Sequence, residues 1–294
     1  MEATLFHNPS AGDEEHSPEA LLTLLRSAGL AAHFCSAKGD RFHEALETAR
    51  GLLIIAGGDG TVGRVVTNLR ARQLPLAILP LGTANNLARA LGSWETPEAF
   101  AAGWRTALRR PLNLASTEAP WGRRRFVEAA GFGAFARAVE RADEKGLKGV
   151  EAGRAAFRAI LSAAKPLRAS MAIDGTGREV ETLFLEVMNI GLFGPNLPLA
   201  PEAAPGDGWL DVVSLPPARR EAMLAWLNTP EAGPPPVEIW RGQRITLDWP
   251  HGPIRLDDES LPWEQPFTVT MAVEAEALQV LVPPAAEVAE RSSP

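Results

Sequence analysis

Three short segments combine glycine with hydroxyl, amide or carboxylate side chains directly after apolar runs: Asn8-Pro9-Ser10-Ala11-Gly12, Gly57-Gly58-Asp59-Gly60-Thr61 and Gly82-Thr83-Ala84-Asn85. Glycine lets backbone N–H groups approach phosphate oxygens, and a following helix directs its positive end at the same anion. Thr61 and Thr83 add hydroxyl donors, so the chemistry these turns suit is phosphate binding. Asp59 is the odd member. A carboxylate among phosphates repels them unless a divalent cation lies between, so its presence argues for Mg²⁺. Farther on, Asp257-Asp258-Glu259 offers paired carboxylates, one to accept a proton and one to orient it, with mutual repulsion raising one pKa. Without further information that run reads as solvated surface, and Gly206-Asp207-Gly208 as a plain turn.

For the three turns to act together, the elements that carry them must share an edge. Up to about residue 112, apolar runs alternate with helical patterns, as in the βα units of a parallel sheet. Strands are expected at 3–7, 31–35, 52–56 and 76–79. Leu52-Leu53-Ile54-Ile55-Ala56 lacks alternation, which predicts a strand buried on both faces. Ser17 as N-cap and Pro18 in the first turn mark a helix start. In a parallel sheet every strand-to-helix turn lies on the carboxyl edge, so the three turns should line one crevice. Beyond residue 112 the texture changes to short apolar segments at 126–133, 170–174, 182–191, 209–215, 244–249, 253–259, 267–273 and 278–282. These predict an antiparallel β domain interrupted by helices at 134–165 and 217–227. The expected organisation is an α/β domain over 1–112, a β-sandwich over 113–283, and a tail, 284–294, frayed or folded back on the first domain.

Composition removes whole classes of function. With 29 Lys+Arg against 36 Asp+Glu in 294 residues the net charge is -7, which opposes nucleic acid as a partner. Cys35 alone forms no internal disulfide and no cysteine-based zinc site, and a reducing cytosol fits. The five histidines form no HExxH, and neither GxSxG nor GxxxxGK[ST] occurs. Gly58, Gly60 and Gly63 match the dinucleotide fingerprint, but the acidic residue that motif wants about 20 positions on is replaced by Leu79-Pro80-Leu81-Gly82. No signal peptide is read at the N-terminus, and no apolar run approaches the ~18 residues of a spanning helix. Membrane contact is therefore expected to be peripheral. Lys145, Lys148, Arg154, Arg158, Lys165 and Arg168, with Val150, Phe157, Ile160 and Leu161 as one face, predict an interfacial helix; the alternative packs that stripe on its own domain. Arg123-Arg124-Arg125 reads as a turn of solvated charge.

Taken in order, FHNPSAG, IIAGGDGTVGRVVTNL, LPLGTANNLARAL, AGFGAFA, MNIGLFGPNLPLAPEAAPGDGWLDVV and IRLDDESLPW span nearly the whole chain. The ordered set resembles the bacterial diacylglycerol kinase catalytic-domain family, including the YegS-type lipid kinases, and more distantly the sphingosine kinases and NAD kinases. That resemblance implies an α/β nucleotide-binding domain of the NAD-kinase/diacylglycerol-kinase type followed by an all-β sandwich with inserted helices, with ATP in the cleft between them. It assigns nucleotide binding to Asn8, Pro9, Ser10, Ala11, Gly12, Ser36, Gly57, Gly58, Asp59, Gly60, Thr61, Val62 and Gly63, with Gly82, Thr83 and Asn85 closing the phosphate site. Asp207 corresponds to a metal-loop aspartate completed by the carbonyls of Ala204 and Trp209, while Glu259 corresponds to the proton acceptor and Asp257 to its partner.

The implied activity is ATP- and Mg²⁺-dependent transfer of the γ-phosphoryl group to a hydroxyl of a diacylglycerol-like or phosphatidylglycerol-like lipid. Expected partners are the lipid at a membrane surface and a second copy of the chain as a homodimer. Three positions depart from the family pattern: Arg64 stands for a usual Glu, Asn86 for Asp, and Asp258 for Gly. They motivate one alternative, a catalytically silent nucleotide- or lipid-binding regulator; the relation to the NAD kinases leaves an NAD-kinase-like activity as another.

Overall fold

The computed structural model describes residues 1–8, 16–144, 149–263 and 265–284. The first unit runs β1 (Glu2–His7), α1 (Pro18–Ser27), β2 (Ala31–Ser36), α2 (Phe42–Thr48), β3 (Leu52–Gly57), α3 (Asp59–Asn68), β4 (Pro75–Pro80), α4 (Asn86–Leu91), α5 (Pro97–Gly103) and β5 (Leu108–Leu112). All six residues of β3 are buried, as its unbroken apolar run requires of a strand covered by helices on both faces. The Ser17 side chain accepts the Ala20 N–H and Pro18 occupies the first turn, so α1 starts where those two residue types favour a start.

The second unit comprises β6 (Ala115–Ala119), β7 (Gly122–Phe126), β8 (Ala129–Gly133), α6 (Ala134–Glu144), α7 (Val150–Ala163), β9 (Leu167–Ile173), β10 (Thr176–Thr182), β11 (Phe184–Met188), β12 (Leu192–Phe193), β13 (Leu197–Pro198), β14 (Leu210–Ser214) and α8 (Arg220–Trp226). It continues with β15 (Glu238–Gly242), β16 (Arg244–Trp249), β17 (Ile254–Leu256), β18 (Glu259–Leu261) and β19 (Phe267–Val273), and the last strand is β20 (Leu278–Val282).

Strand order in the first sheet is β2-β1-β3-β4-β20-β5. β20 therefore leaves the sandwich, where 278–282 was expected, and pairs parallel with β4 and antiparallel with β5. The expected fold of the tail lies outside the described residues from 285 onward. Two antiparallel six-stranded sheets, β10-β9-β16-β19-β6-β7 and β15-β14-β11-β8-β17-β18, form the sandwich. Their inner faces share one core: Ile245, Leu247 and Trp249 alternate inward along β16 and meet Phe132 of β8 and Leu185 and Val187 of β11.

The expected helix at 134–165 is two helices. Phe157 and Leu161 of α7 are buried, with the Phe157 ring stacked on Phe135 of α6 and edge-on to Phe184. Phe157 and Leu161 thus pack on their own domain, as the alternative reading has it, while Val150 and Ile160 are half-buried. Arg154 is paired with Glu231 at 3.1 Å and Arg158 bonds Asn228. Lys145 and Lys148 fall outside the described residues.

Candidate functional site

β3 delivers Gly57 and Gly58 to the carboxyl edge of the first sheet, where Gly58 caps α3. Close packing explains the glycines here. A Cβ on Gly57 would stand 2.7 Å from the Thr61 Cβ, and one on Gly82 would stand 2.4 Å from the Gly58 Cα. The Gly82 turn is thus pressed against the back of the Gly58 turn. Asn85 holds it there from a left-handed backbone (φ 51), accepting from the Gly82 N–H at 2.9 Å and donating to the Gly82 carbonyl at 2.6 Å.

Asp59 points the same way. Its two oxygens accept the N–H groups of Asn86 (2.9 Å) and Leu87 (3.1 Å), so it caps α4 from a distant part of the chain. Burial raises its pKa, the bonds from Asn86 and Leu87 oppose that, and the charge on Asp258 adds to it. The geometry gives Asp59 a structural role beside the Mg²⁺ reading of the sequence: each of its oxygens takes one backbone donor of α4. Asn86 also explains its own departure from Asp. Its side-chain amide donates to the Gly194 carbonyl at 2.9 Å, linking α4 to the segment between β12 and β13, a bond a carboxylate is unable to make.

Across the cleft, β17 and β18 form a hairpin whose turn is Asp257-Asp258. Asp257 adopts φ 53, and its carboxylate accepts from Val127 (3.0 Å), Glu128 (2.7 Å) and Ala129 (3.2 Å) N–H groups. These bonds tie the turn to the crossing from β7 to β8. The left-handed residue is Asp257 and not Asp258, so the side chain at the family's glycine position meets no backbone strain. Burial pushes the Asp257 pKa up to about 6, against the lowering effect of the Glu128 and Val127 N–H groups and of Arg255. Glu128, a carboxyl sequence reasoning missed, is driven well above its usual range by burial and then by Asp59, Asp257 and Asp258, with Arg255 opposing. Only its position in an apolar strand-like run, FVEAA, hinted at burial. Beneath the turn, Arg255 forms a buried 2.7 Å pair with Glu186, stacks 4.4 Å from the Phe193 ring centroid and donates to the Asp257 carbonyl.

Between the two turns lies a cavity of about 980 Å³. Of the residues expected there, Asn8, Gly58, Gly60, Thr61, Gly63, Asp257 and Glu259 line it. Gly57, Ser36, Gly82, Thr83 and Asn85 do not, and Val62 is a core residue of the first unit. Pro9, Ser10, Ala11 and Gly12 lie outside the described residues. Glu259 is exposed and its carboxylate is held by Arg124 at 2.7 Å. Arg123, Arg124 and Arg125 also line the cavity, on β7, which corrects their reading as a turn of solvated charge. What the sequence concealed is their partner: Glu274, just beyond β19, takes Arg125 at 2.9 Å and Arg123 at 3.3 Å, with Arg72 as a third cation.

The Asp207 loop is closed by protein groups. One Asp207 oxygen accepts the Trp209 N–H at 3.0 Å, the other faces Arg241 at 3.5 Å, and the Ala204 carbonyl accepts the Asp207 N–H at 3.3 Å. A guanidinium thus stands beside the carboxylate where a metal was expected, and the arrangement does not fit one. Among the described residues no group of three or more His, Cys, Asp or Glu side chains is placed to hold a metal ion.

Comparison with known proteins matches residues 2–116 to the diacylglycerol kinase catalytic domain and residues 128–282 to the YegS C-terminal NAD kinase beta sandwich-like domain. The chain is 34% identical over 223 residues to a probable lipid kinase YegS-like of Pseudomonas aeruginosa (strain UCBPP-PA14), covering 72% of this chain and 71% of the relative. It is 28% identical over 234 residues to a diacylglycerol kinase of Bacillus subtilis (strain 168), covering 72% and 73%. Its fold matches the crystal structure of a putative diacylglycerol kinase from Bacillus anthracis str. Sterne with a TM-score of 0.75 at 19% identity, over 97% of this chain and 96% of that one. Yeast NADH kinase complexed with NADH shares the fold at a TM-score of 0.57 and 10% identity, over 96% and 83%.

Proposed function

The chain belongs to the diacylglycerol kinase catalytic-domain family with a YegS-type C-terminal domain, and from that premise we propose that it is an ATP- and Mg²⁺-dependent lipid kinase. It transfers the γ-phosphoryl group to a hydroxyl of a diacylglycerol-like or phosphatidylglycerol-like lipid. The observation that carries this reading is the meeting of two turns from different units: the glycine-rich turn before α3 and the carboxylate turn between β17 and β18 face each other across one cavity.

A lipid hydroxyl is a poor nucleophile at neutral pH, and a positioned carboxylate accepting its proton contributes on the order of 10²–10⁴ in rate. Glu259 fills that role on this reading, because it opens to the cavity and Arg124 fixes one of its oxygens. Asp257 is the organiser. Three backbone donors lock its carboxylate and so fix the turn that carries Glu259. Mg²⁺ bound with the nucleotide would supply charge neutralisation on the transferred phosphoryl group. The lipid is met at a membrane surface; among the described residues no helix is long and apolar enough to cross a membrane.

The deciding experiment incubates purified protein with Mg²⁺ and γ-labelled ATP on a panel of diacylglycerol, phosphatidylglycerol and NAD. Label on a lipid is expected. Label on NAD alone moves the assignment to NAD kinase, and nucleotide binding without transfer to any hydroxyl acceptor overturns the kinase reading.

A further inference from the structure

The positive charge around the cavity divides into two sets. Arg123, Arg124 and Arg125 are committed to Glu274 and Glu259, and Arg125 also donates to the Thr67 carbonyl. Arg64 and Lys38, which line the same cavity, make no ion pair among the described residues. An uncommitted cation facing a cavity is available to a ligand.

Arg64 is also oriented. Its guanidinium lies 4.7 Å from the centroid of the Phe42 ring, and Phe42 is itself buried, edge-on to Phe6 with centroids 6.1 Å apart. A cation resting on a fixed ring gives up less freedom on binding than a free arginine does. It stands four residues after Gly60, and Gly60, Gly63, Arg64 and Thr67 turn one small, polar face of α3 to the cavity. The opposite face carries Val62, Val65 and Val66 into the core. Arg64 is the charged residue of that face, on the helix whose N-terminal turn is the glycine-rich segment. A planar guanidinium there matches phosphate oxygens in pairs, and Lys38, on the connection from β2 to α2, adds a point charge.

Resting on the reading of this cavity as the nucleotide site, we propose that Arg64, with Lys38, binds the phosphates of the nucleoside triphosphate directly. This chain then holds the nucleotide by fixed side-chain charge even when no divalent cation accompanies it. A carboxylate at position 64 would repel phosphate unless a cation lay between; Arg does not.

Calorimetric titration of the parent, Arg64→Ala, Arg64→Lys and Arg64→Glu with ATP, in Mg²⁺ and in EDTA, tests this. Inorganic triphosphate is a second probe that separates phosphate contact from stacking on the base. The parent should bind ATP in EDTA within about tenfold of its affinity in Mg²⁺. Arg64→Ala should weaken both probes in EDTA by about tenfold, the cost of one charged hydrogen-bonded contact. Arg64→Lys should recover part of that loss, and Arg64→Glu should bind only in Mg²⁺. Melting curves confirm that each variant is folded. Parental affinity of Arg64→Ala in EDTA, or a parent that binds ATP only with Mg²⁺, overturns the proposal. A parent that binds ATP under neither condition overturns the nucleotide reading beneath it.

Discussion

Oδ2 of Asp258 lies over Gly60 so closely that a Cβ built on that glycine would stand 2.1 Å from it. The sandwich therefore reaches into the glycine-rich turn with the carboxylate of Asp258, the residue of the β17–β18 turn that stands for the family's usual Gly. Asp258 is exposed, so the contact is made by a side chain free to swing away. Two effects oppose an incoming phosphate at Gly60: occupied space and like charge.

Replacing that side chain should help the nucleotide in. Asp258→Gly is expected to lower the KM for ATP by several-fold, on the order of the like-charge repulsion removed at a partly solvated site, with kcat equal or higher. Steady-state kinetics at saturating lipid checks it, and an unchanged KM would mean that Asp258 leaves the cradle before ATP arrives.

For Asp59 the expected loss is one of stability. Alanine there strands the Asn86 and Leu87 N–H groups at the start of α4, so Asp59→Ala should cost about 1–2 kcal/mol in chemical denaturation, the range of a lost helix cap. Asp59→Asn retains one acceptor and should lose less. A variant of parental stability would show that water replaces the carboxylate without penalty.

Much of this was legible in the residues, and the rest fails for identifiable reasons. β16, β19 and β20 coincide with their apolar segments because alternation or an unbroken apolar run fixes a strand locally. No local pattern says which sheet a strand joins, so the sequence does not reveal that β20 pairs with β4 and β5. Asp59 has the composition of a ligand residue, but its direction is set by α4, which lies 27 residues away in sequence. Three consecutive arginines look solvated until Glu274, 149 residues after Arg125 in sequence, is brought beside them by the β19-β6-β7 pairing. Arg64 departs from the family pattern, and only its stacking on Phe42 says where its charge is aimed.

The Asp207 loop yields a prediction about metal. Since Arg241 supplies the counter-charge at 3.5 Å, Asp207→Ala should lower the melting temperature by the same amount with and without Mg²⁺. A Mg²⁺-dependent stabilisation present in the parent and absent from the variant would place a metal there after all.

The two carboxylates of the β17–β18 turn should separate by their response to pH. Asp257 has a folded pKa of about 6 against an ordinary 3.8, so its carboxylate is formed late as pH rises. The three N–H groups that fix the turn bind the anion best, so kcat/KM should climb along an acid limb centred near pH 6 and level off above it. Stability runs the other way. A carboxyl whose pKa is raised by folding contributes stability that is present below pH 3.8 and lost as pH rises through about 6. Glu128 and Asp59, also raised by burial and facing the same cluster with Asp258 and Arg255, act in the same direction. Asp257→Asn should therefore lose turnover, lose that acid limb, and show a flatter dependence of stability on pH than the parent. Glu259→Gln keeps the shape and the bond from Arg124 but deletes the proton acceptor, so turnover should fall by about 10²-fold or more while ATP affinity barely moves. Because Asp257 works through the turn that holds Glu259, the double variant should cost less than the product of the two singles. A Glu259→Gln enzyme with normal turnover on its best lipid would move the base elsewhere, with Glu128, a buried carboxyl that interacts with Asp257 and Asp258, as the alternative.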